Sequence, residues 1–156
     1  MNKQAYKIED VLTEKGVYVG PTAGYSMYPM LKDRRDTIII RPKTQRLQPL
    51  DVALYTANGK YVLHRGIQTV DGGYVIRGDN CYADEFVPEE DVFGVLTEFY
   101  RKDKHIVCTD EKYLRYAKKI VDNYPQRKTR YFRKMKFRNC VKKCLQCFGF
   151  RKNKKS

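Results

Sequence analysis

Asp51-Val52-Ala53-Leu54-Tyr55-Thr56-Ala57-Asn58-Gly59-Lys60-Tyr61-Val62-Leu63-His64-Arg65 is the stretch that decides the fold class. Two runs suited to strands flank Asn58-Gly59. A type I′ turn needs two residues tolerant of positive φ, and Asn-Gly supplies them. A hairpin is therefore expected, Asp51 to Thr56 against Tyr61 to Arg65. Outward from it, Val17-Tyr18-Val19 and the β-branched run Thr37 to Arg41 read as strands. So do Ile67 to Val70 and Tyr74 to Arg77, on either side of Asp71-Gly72-Gly73, and later Val92 to Arg101 and His105 to Cys108. Short strands with turn residues every roughly 8–12 positions predict a mainly β, partly closed sheet.

After Thr109 the composition changes. Asp110 to Asn123 reads as a helix, with Leu114, Ala117, Ile120 and Val121 on one face and Thr109 as N-cap. Pro125 breaks it, and a second helical segment follows from about Gln126 to Phe148. The expected organisation is a β domain over residues 1–108 and a helical, basic tail over residues 109–156.

Charge follows the same division. The net +14 of the 156 residues lies wholly in residues 103–156, which hold 18 Lys and Arg against 4 Asp and Glu. Residues 1–102 balance at 14 of each sign. A neutral domain with a cationic extension points to a polyanionic surface as partner of the extension. Five cysteines cannot all pair internally, which favours a reducing compartment over a secreted disulfide scaffold. Met1 to Glu14 lacks the apolar core of a secretory signal, and no window reaches the length of a spanning helix. A cytoplasmic protein, peripheral at most to the inner face of the cell membrane, is the expectation.

Chemistry concentrates on few residues. In the hairpin, Val62 and His64 share one face while Tyr61, Leu63 and Arg65 share the other. A histidine fixed on a strand makes an oriented general base. The chain has two histidines, and His105 reads as a surface residue at a strand end. Ser26, in Gly24-Tyr25-Ser26-Met27-Tyr28-Pro29-Met30-Leu31, lies in a Gly/Pro-punctuated loop that can present Oγ and its own N–H. A serine hydroxyl becomes a nucleophile only when a base takes its proton. Asp79 and Asp84 flank Asn80, and either could hold the imidazole as the third member of a triad.

The loop Gly24 to Leu31 resembles the Ser-Met-x-Pro-x-Leu nucleophile box of type I signal peptidases and of the related SOS- and phage-repressor self-cleaving peptidases. Leu50-Asp51-Val52-Ala53-Leu54-Tyr55 resembles the Gly-Asp-apolar strand of that superfamily, with Leu50 in place of the glycine. Tyr61 to Arg65 resembles its base box, Gly78-Asp79-Asn80-Cys81-Tyr82-Ala83-Asp84 its Gly-Asp-Asn box, and Val87-Pro88 to Phe93-Gly94-Val95 its closing strand. Four boxes keep their order and spacing over roughly residues 15–100. Most bacterial signal peptidases and the repressors carry a lysine as base. His64 places this chain with the branch that uses a Ser-His pair, and Lys60, four residues earlier at the hairpin tip, is not the base.

The resemblance implies a signal-peptidase-like sheet domain and serine endopeptidase chemistry on a signal-like or leader peptide. Small residues would stand at the first and third positions on the acyl side of the cut. It implies Ser26 as nucleophile and His64 as base, with Asp84 as the better match to the supporting aspartate and Asp79 as second choice. No cofactor or metal is implied. The Ser26 amide is the first oxyanion donor. Relatives often carry a hydroxyl two residues before the nucleophile, where this chain has Gly24. The family's usual membrane helix before the domain is not expected here. Self-cleavage at Ala23-Gly24 is not expected, since that bond is too near Ser26 to fold back into the site.

From Lys136 to Phe148, Phe137, Cys140, Val141, Cys144, Leu145, Cys147 and Phe148 fall on one helical arc. Lys136, Arg138, Lys142 and Lys143 fall on the other. This predicts contact between residues 126–156 and an anionic membrane surface. A helix docked on the domain with a solvated basic face is the plain alternative. Nucleic acid ranks last, since no base-reading motif accompanies the charge. Cys140, Cys144 and Cys147 have the spacing of an iron–sulfur motif, but their i, i+4, i+7 placement suits the apolar face of one helix better.

Overall fold

The computed structural model describes the backbone of residues 7–152 and the side chains of residues 7–139. In chain order the elements are α1 (Ile8–Lys15), β1 (Tyr18–Pro21), β2 (Asp36–Pro42), β3 (Val52–Ala57), β4 (Lys60–Val70), β5 (Gly73–Arg77), β6 (Glu85–Pro88), β7 (Val92–Arg101), β8 (Lys104–Val107), α2 (Glu111–Asp122) and α3 (Tyr124–Lys152). The strands form one antiparallel sheet in the order β1-β2-β7-β3-β4-β5-β6, with β8 also on β7, and the sheet curls into a half-barrel.

The Asn58-Gly59 turn has the expected geometry, with φ of 51° and 71°. It sets the register that pairs Ala53 with His64 and Val52 with Arg65. The strand begun at Lys60 does not stop at Arg65. It runs through the expected Ile67 to Val70 strand, with a register shift between Gly66 and Gln68. Gly66 is held there by two bonds, its N–H to Asp51 O at 2.7 Å and its carbonyl from Leu50 N–H at 2.9 Å. Leu50, which stands where the resemblance expects a glycine, takes φ 83°, in the region that favours glycine.

Four consecutive residues of β3, Val52 to Tyr55, are buried, so both faces of the sheet are covered there. Val52 and Leu54 pack with Ile40, Leu96, Phe99 and the Met27 and Met30 side chains. Ala53 and Tyr55 pack on the opposite face with Tyr74, Ile76 and Val92. A fully buried side chain of this size contributes about 1.5–3 kcal/mol. The first of these cores anchors the loop that carries Ser26.

The helices depart from expectation in two ways. Ile8–Lys15 is helical and buries Leu12, although the stretch up to Glu14 was expected only to be polar. Its C-terminal signal was present in Gly16, which adopts φ 67° and donates its N–H to Leu12 O at 2.9 Å. On α2, Tyr113 and Ala117 face inward while Leu114 is exposed, so the buried stripe is rotated from the expected one. The compact unit containing the sheet extends through Val121. Pro125 lies in the first turn of α3, where its missing N–H costs nothing.

The second unit, Asp122–Ser156, contains α3. Residues 124–139 carry seven Lys and Arg and no acid, with Phe132 and Phe137 exposed among them. The side chains of Cys140, Cys144 and Cys147, and most of the expected apolar arc, lie outside the described residues. Among the described residues, no helix is long and apolar enough to cross a membrane.

Candidate active site

The Ser26 loop is built from both ends. Thr22 donates its N–H to Asp36 O at 2.9 Å and its hydroxyl to Lys32 O at 2.7 Å. Gly24 N–H donates to Asp33 Oδ1 at 2.7 Å. Asp36 is buried, accepts from Lys32 N–H at 2.8 Å, and is gripped by Arg35 through Nε at 2.6 Å and Nη2 at 2.8 Å. Met27, Met30 and Leu31 drop into the core, whereas Tyr25, Tyr28 and Pro29 stay exposed and Ser26 is half-buried. The alternation of anchors and exposed residues holds the serine at the surface on a fixed base.

The Gly-Asp-Asn segment closes over this loop. Asn80 N–H donates to Ser26 O at 2.7 Å, and Asn80 Nδ2 donates to Tyr25 O at 3.1 Å. Gly78 lies between the loop and the base. A Cβ on Gly78 would stand 2.8 Å from Ser26 O and 3.0 Å from His64 Nε2. The serine segment and the imidazole thus approach one point, and the absent side chain makes the approach possible.

His64 is 7% exposed. Its Nδ1 lies 2.8 Å from Glu85 Oε1 and 3.1 Å from the Tyr55 hydroxyl. With Nδ1–H assigned as donor to the carboxylate, Nε2 keeps its lone pair and faces the serine side. Burial pushes the His64 pKa down. The charge and hydrogen bond of Glu85, and the charge of Asp79, push back, and the net position is below the ordinary 6.5. The imidazole is therefore neutral at neutral pH, the state a base requires. Burial, with Glu85 beside it, raises the Tyr55 pKa, so its hydroxyl stays protonated.

The carboxylate bonded to His64 is thus Glu85; Asp84 and Asp79, the two candidates the sequence offered, bond arginines. Arg65 and Arg77 stand opposite one another across β4 and β5, and like charges so placed repel. Each bonds an aspartate. Asp79 accepts from Arg65 Nε and Nη2, both at 2.8 Å, with both residues buried. Asp84 accepts from Arg77 Nη1 at 2.7 Å and is half-exposed. Glu85, the next residue, opens β6 and is left to meet the ring. Sequence spacing pointed to this segment but not to the partner, because the arginine pair could not be seen before the strands were registered.

Arg65 also joins the parts of the site. Its Nη1 donates to Leu50 O at 3.0 Å and to the Tyr113 hydroxyl at 3.1 Å, and its Nη2 reaches Met30 Sδ at 3.0 Å. One guanidinium ties the base strand, the Gly-Asp-Asn segment, the serine loop and α2.

Among the described residues, Ser26 Oγ and Ser26 N–H make no hydrogen bond, so neither is committed elsewhere. No direct bond joins Oγ to Nε2; such contacts often tighten only when substrate binds. Also among the described residues, no cluster of three His, Cys, Asp or Glu side chains could hold a metal ion. The structure thus sets the backbone of a half-exposed serine and the Nε2 of a buried, neutral imidazole on one glycine, Gly78. A scan of models of known protein families found no match to this chain, and neither did a search of curated proteins.

Proposed function

We propose that the protein is a serine endopeptidase of the signal-peptidase-like kind, with Ser26 as nucleophile, His64 as base and Glu85 as the group that orients the base. The observation that carries this reading is the meeting of Ser26 O and His64 Nε2 around the bare Cα of Gly78, with Glu85 on the far nitrogen of the ring. His64 Nε2 accepts the proton of Ser26 Oγ as Oγ attacks the substrate carbonyl. Glu85 stabilises the resulting imidazolium. The Ser26 N–H serves the oxyanion. The imidazolium then gives its proton to the leaving amine, and water, activated by the same nitrogen, releases the acyl group. Asp79 acts at a distance by holding Arg65, and Asp84 by neutralising Arg77.

The substrate class follows from the resemblance of the four boxes: a leader or signal-like peptide with small residues at the first and third positions before the cut. A peptide library fixed as Ala at those two positions tests it. Cleavage by the wild type and none by Ser26→Ala supports the reading; equal turnover by both proteins contradicts it.

A second reading rests on a separate observation. Seven cations without an acid over residues 124–139, with exposed aromatic side chains among them, suit an anionic membrane surface. Such a helix could serve a catalytically inactive β domain as well as a peptidase. Retention of both Ser26 and His64 in matching boxes favours the peptidase.

A further inference from the structure

A cavity of about 230 Å³ lies between β7, β8 and α2, and neither Ser26 nor His64 lines it. Phe99 from β7 and Tyr113 and Tyr116 from α2 give it aromatic walls. Arg101, Lys104 and Lys112 line it as well, against Asp110 as the one acid. None of these three cations forms an ion pair among the described residues.

Arg101 is the informative one. It is half-buried, and its Nη2 donates to Met30 O at 2.9 Å. The acid opposite it across the strands is Asp36, but Arg35 and the Lys32 N–H already hold both Asp36 oxygens. A half-buried guanidinium that hydrogen-bonds no carboxylate, its charge only partly offset by nearby Asp36, makes the cavity electropositive together with the two lysines. Charges there interact more strongly than in water.

Size and wall chemistry narrow the ligand. Pockets for drug-sized ligands run from about 300 to 1,000 Å³, so this one suits a single ring with a small substituent. A nucleotide is too large, and a bare inorganic anion would leave the aromatic walls unmatched. We propose that this cavity is a binding site for a small aromatic carboxylate, its ring between Phe99 and the two tyrosines and its charge toward Arg101, Lys104 and Lys112. Arg101 and Tyr113 also brace the Ser26 loop and Arg65, but binding here needs neither Ser26 nor His64 and is tested apart from them.

Benzoate titrated into the ¹⁵N-labelled full chain, followed by amide chemical shifts, tests it. Benzyl alcohol serves as the ring without charge and acetate as the charge without ring. Saturable shifts at Phe99, Ile106 and Tyr113, stronger for benzoate than for either control, are expected. The exposed pair Lys104→Gln/Lys112→Gln should weaken benzoate about fivefold while leaving the free spectrum folded. Four results would each overturn the proposal. They are shifts that fail to saturate, shifts confined to α3, equal binding of either control, and an unchanged affinity in the double variant.

Discussion

The Asn80 N–H donates to the Ser26 carbonyl oxygen at 2.7 Å, across 54 residues of sequence. This bond fixes the loop that carries Ser26 to the segment that follows β5. Gly78, two residues before Asn80, faces both Ser26 and the base. Addition of one methyl group at Gly78 would overlap Ser26 O and crowd His64 Nε2. Gly78→Ala is expected to lower peptide cleavage by on the order of 10²-fold, since displacements near 1 Å have such effects. Circular dichroism should still report the β fold. Unchanged cleavage would show that the approach at Gly78 has no catalytic meaning.

Glu85 and Asp84 are neighbours with different duties. Glu85→Gln removes the charge that orients and supports the imidazole, and should reduce turnover by about 10²–10⁴-fold. Asp84→Asn removes the charge opposite the buried Arg77 guanidinium but keeps an acceptor oxygen, and should leave turnover within a few-fold, with about 1–3 kcal/mol of stability lost. Steady-state rates of the two variants, measured side by side, separate the roles. The reverse order would restore the aspartate as the third group.

Asp79→Ala leaves the Arg65 guanidinium buried without its carboxylate. Loss of one partner of a buried pair costs about 3–5 kcal/mol. Chemical denaturation should register that loss, and activity should fall with it because Arg65 ties four parts of the site together. A loss below about 1 kcal/mol would mean that the pair is not desolvated as described.

The pH dependence follows from His64. Its pKa in the fold lies below the ordinary 6.5, first because of burial. The unfolded chain therefore binds a proton near pH 6.5 that the folded chain refuses until lower pH. Between those two values stability falls as pH falls, and above pH 6.5 this contribution is constant. The acid limb of activity should likewise lie below pH 6.5. Glu85→Gln removes two influences that raise the His64 pKa, so the limb should move further toward acid. NMR titration of the His64 ring measures both proteins directly, and an upward shift in the variant would contradict the assignment.

Much of the sheet could be read from the chain because its signals are local. Asn58-Gly59 fixed one hairpin, and the β-branched run at residues 37–41 marked β2. Ser26 and His64 were legible as chemistry-bearing residues, and Gly78-Asp79-Asn80 as a segment of interest. The rest depended on partners that sequence does not display. Which carboxylate meets His64 turns on the cross-strand pairing of Arg65 with Arg77, a property of register. The inward face of α2 turns on Tyr113, outside the face read from the sequence, which is buried and accepts from Arg65.

The basic helix is open to a separate measurement. Vesicles rich in phosphatidylserine should sediment the full chain, and neutral phosphatidylcholine vesicles should not. Each basic residue near such a surface is worth about 1 kcal/mol, so changing Arg133, Lys134, Lys136 and Arg138 to Gln should abolish binding. Sedimentation that persists in the fourfold variant would place the contact elsewhere.

The central claim is that Ser26 is a nucleophile activated by His64. A fluorophosphonate probe with mass-spectrometric mapping of the adduct tests it most directly. The account predicts a single adduct on Ser26, formed at least about 10²-fold more slowly in His64→Ala. No adduct on Ser26, or an equal rate in the His64 variant, would contradict it.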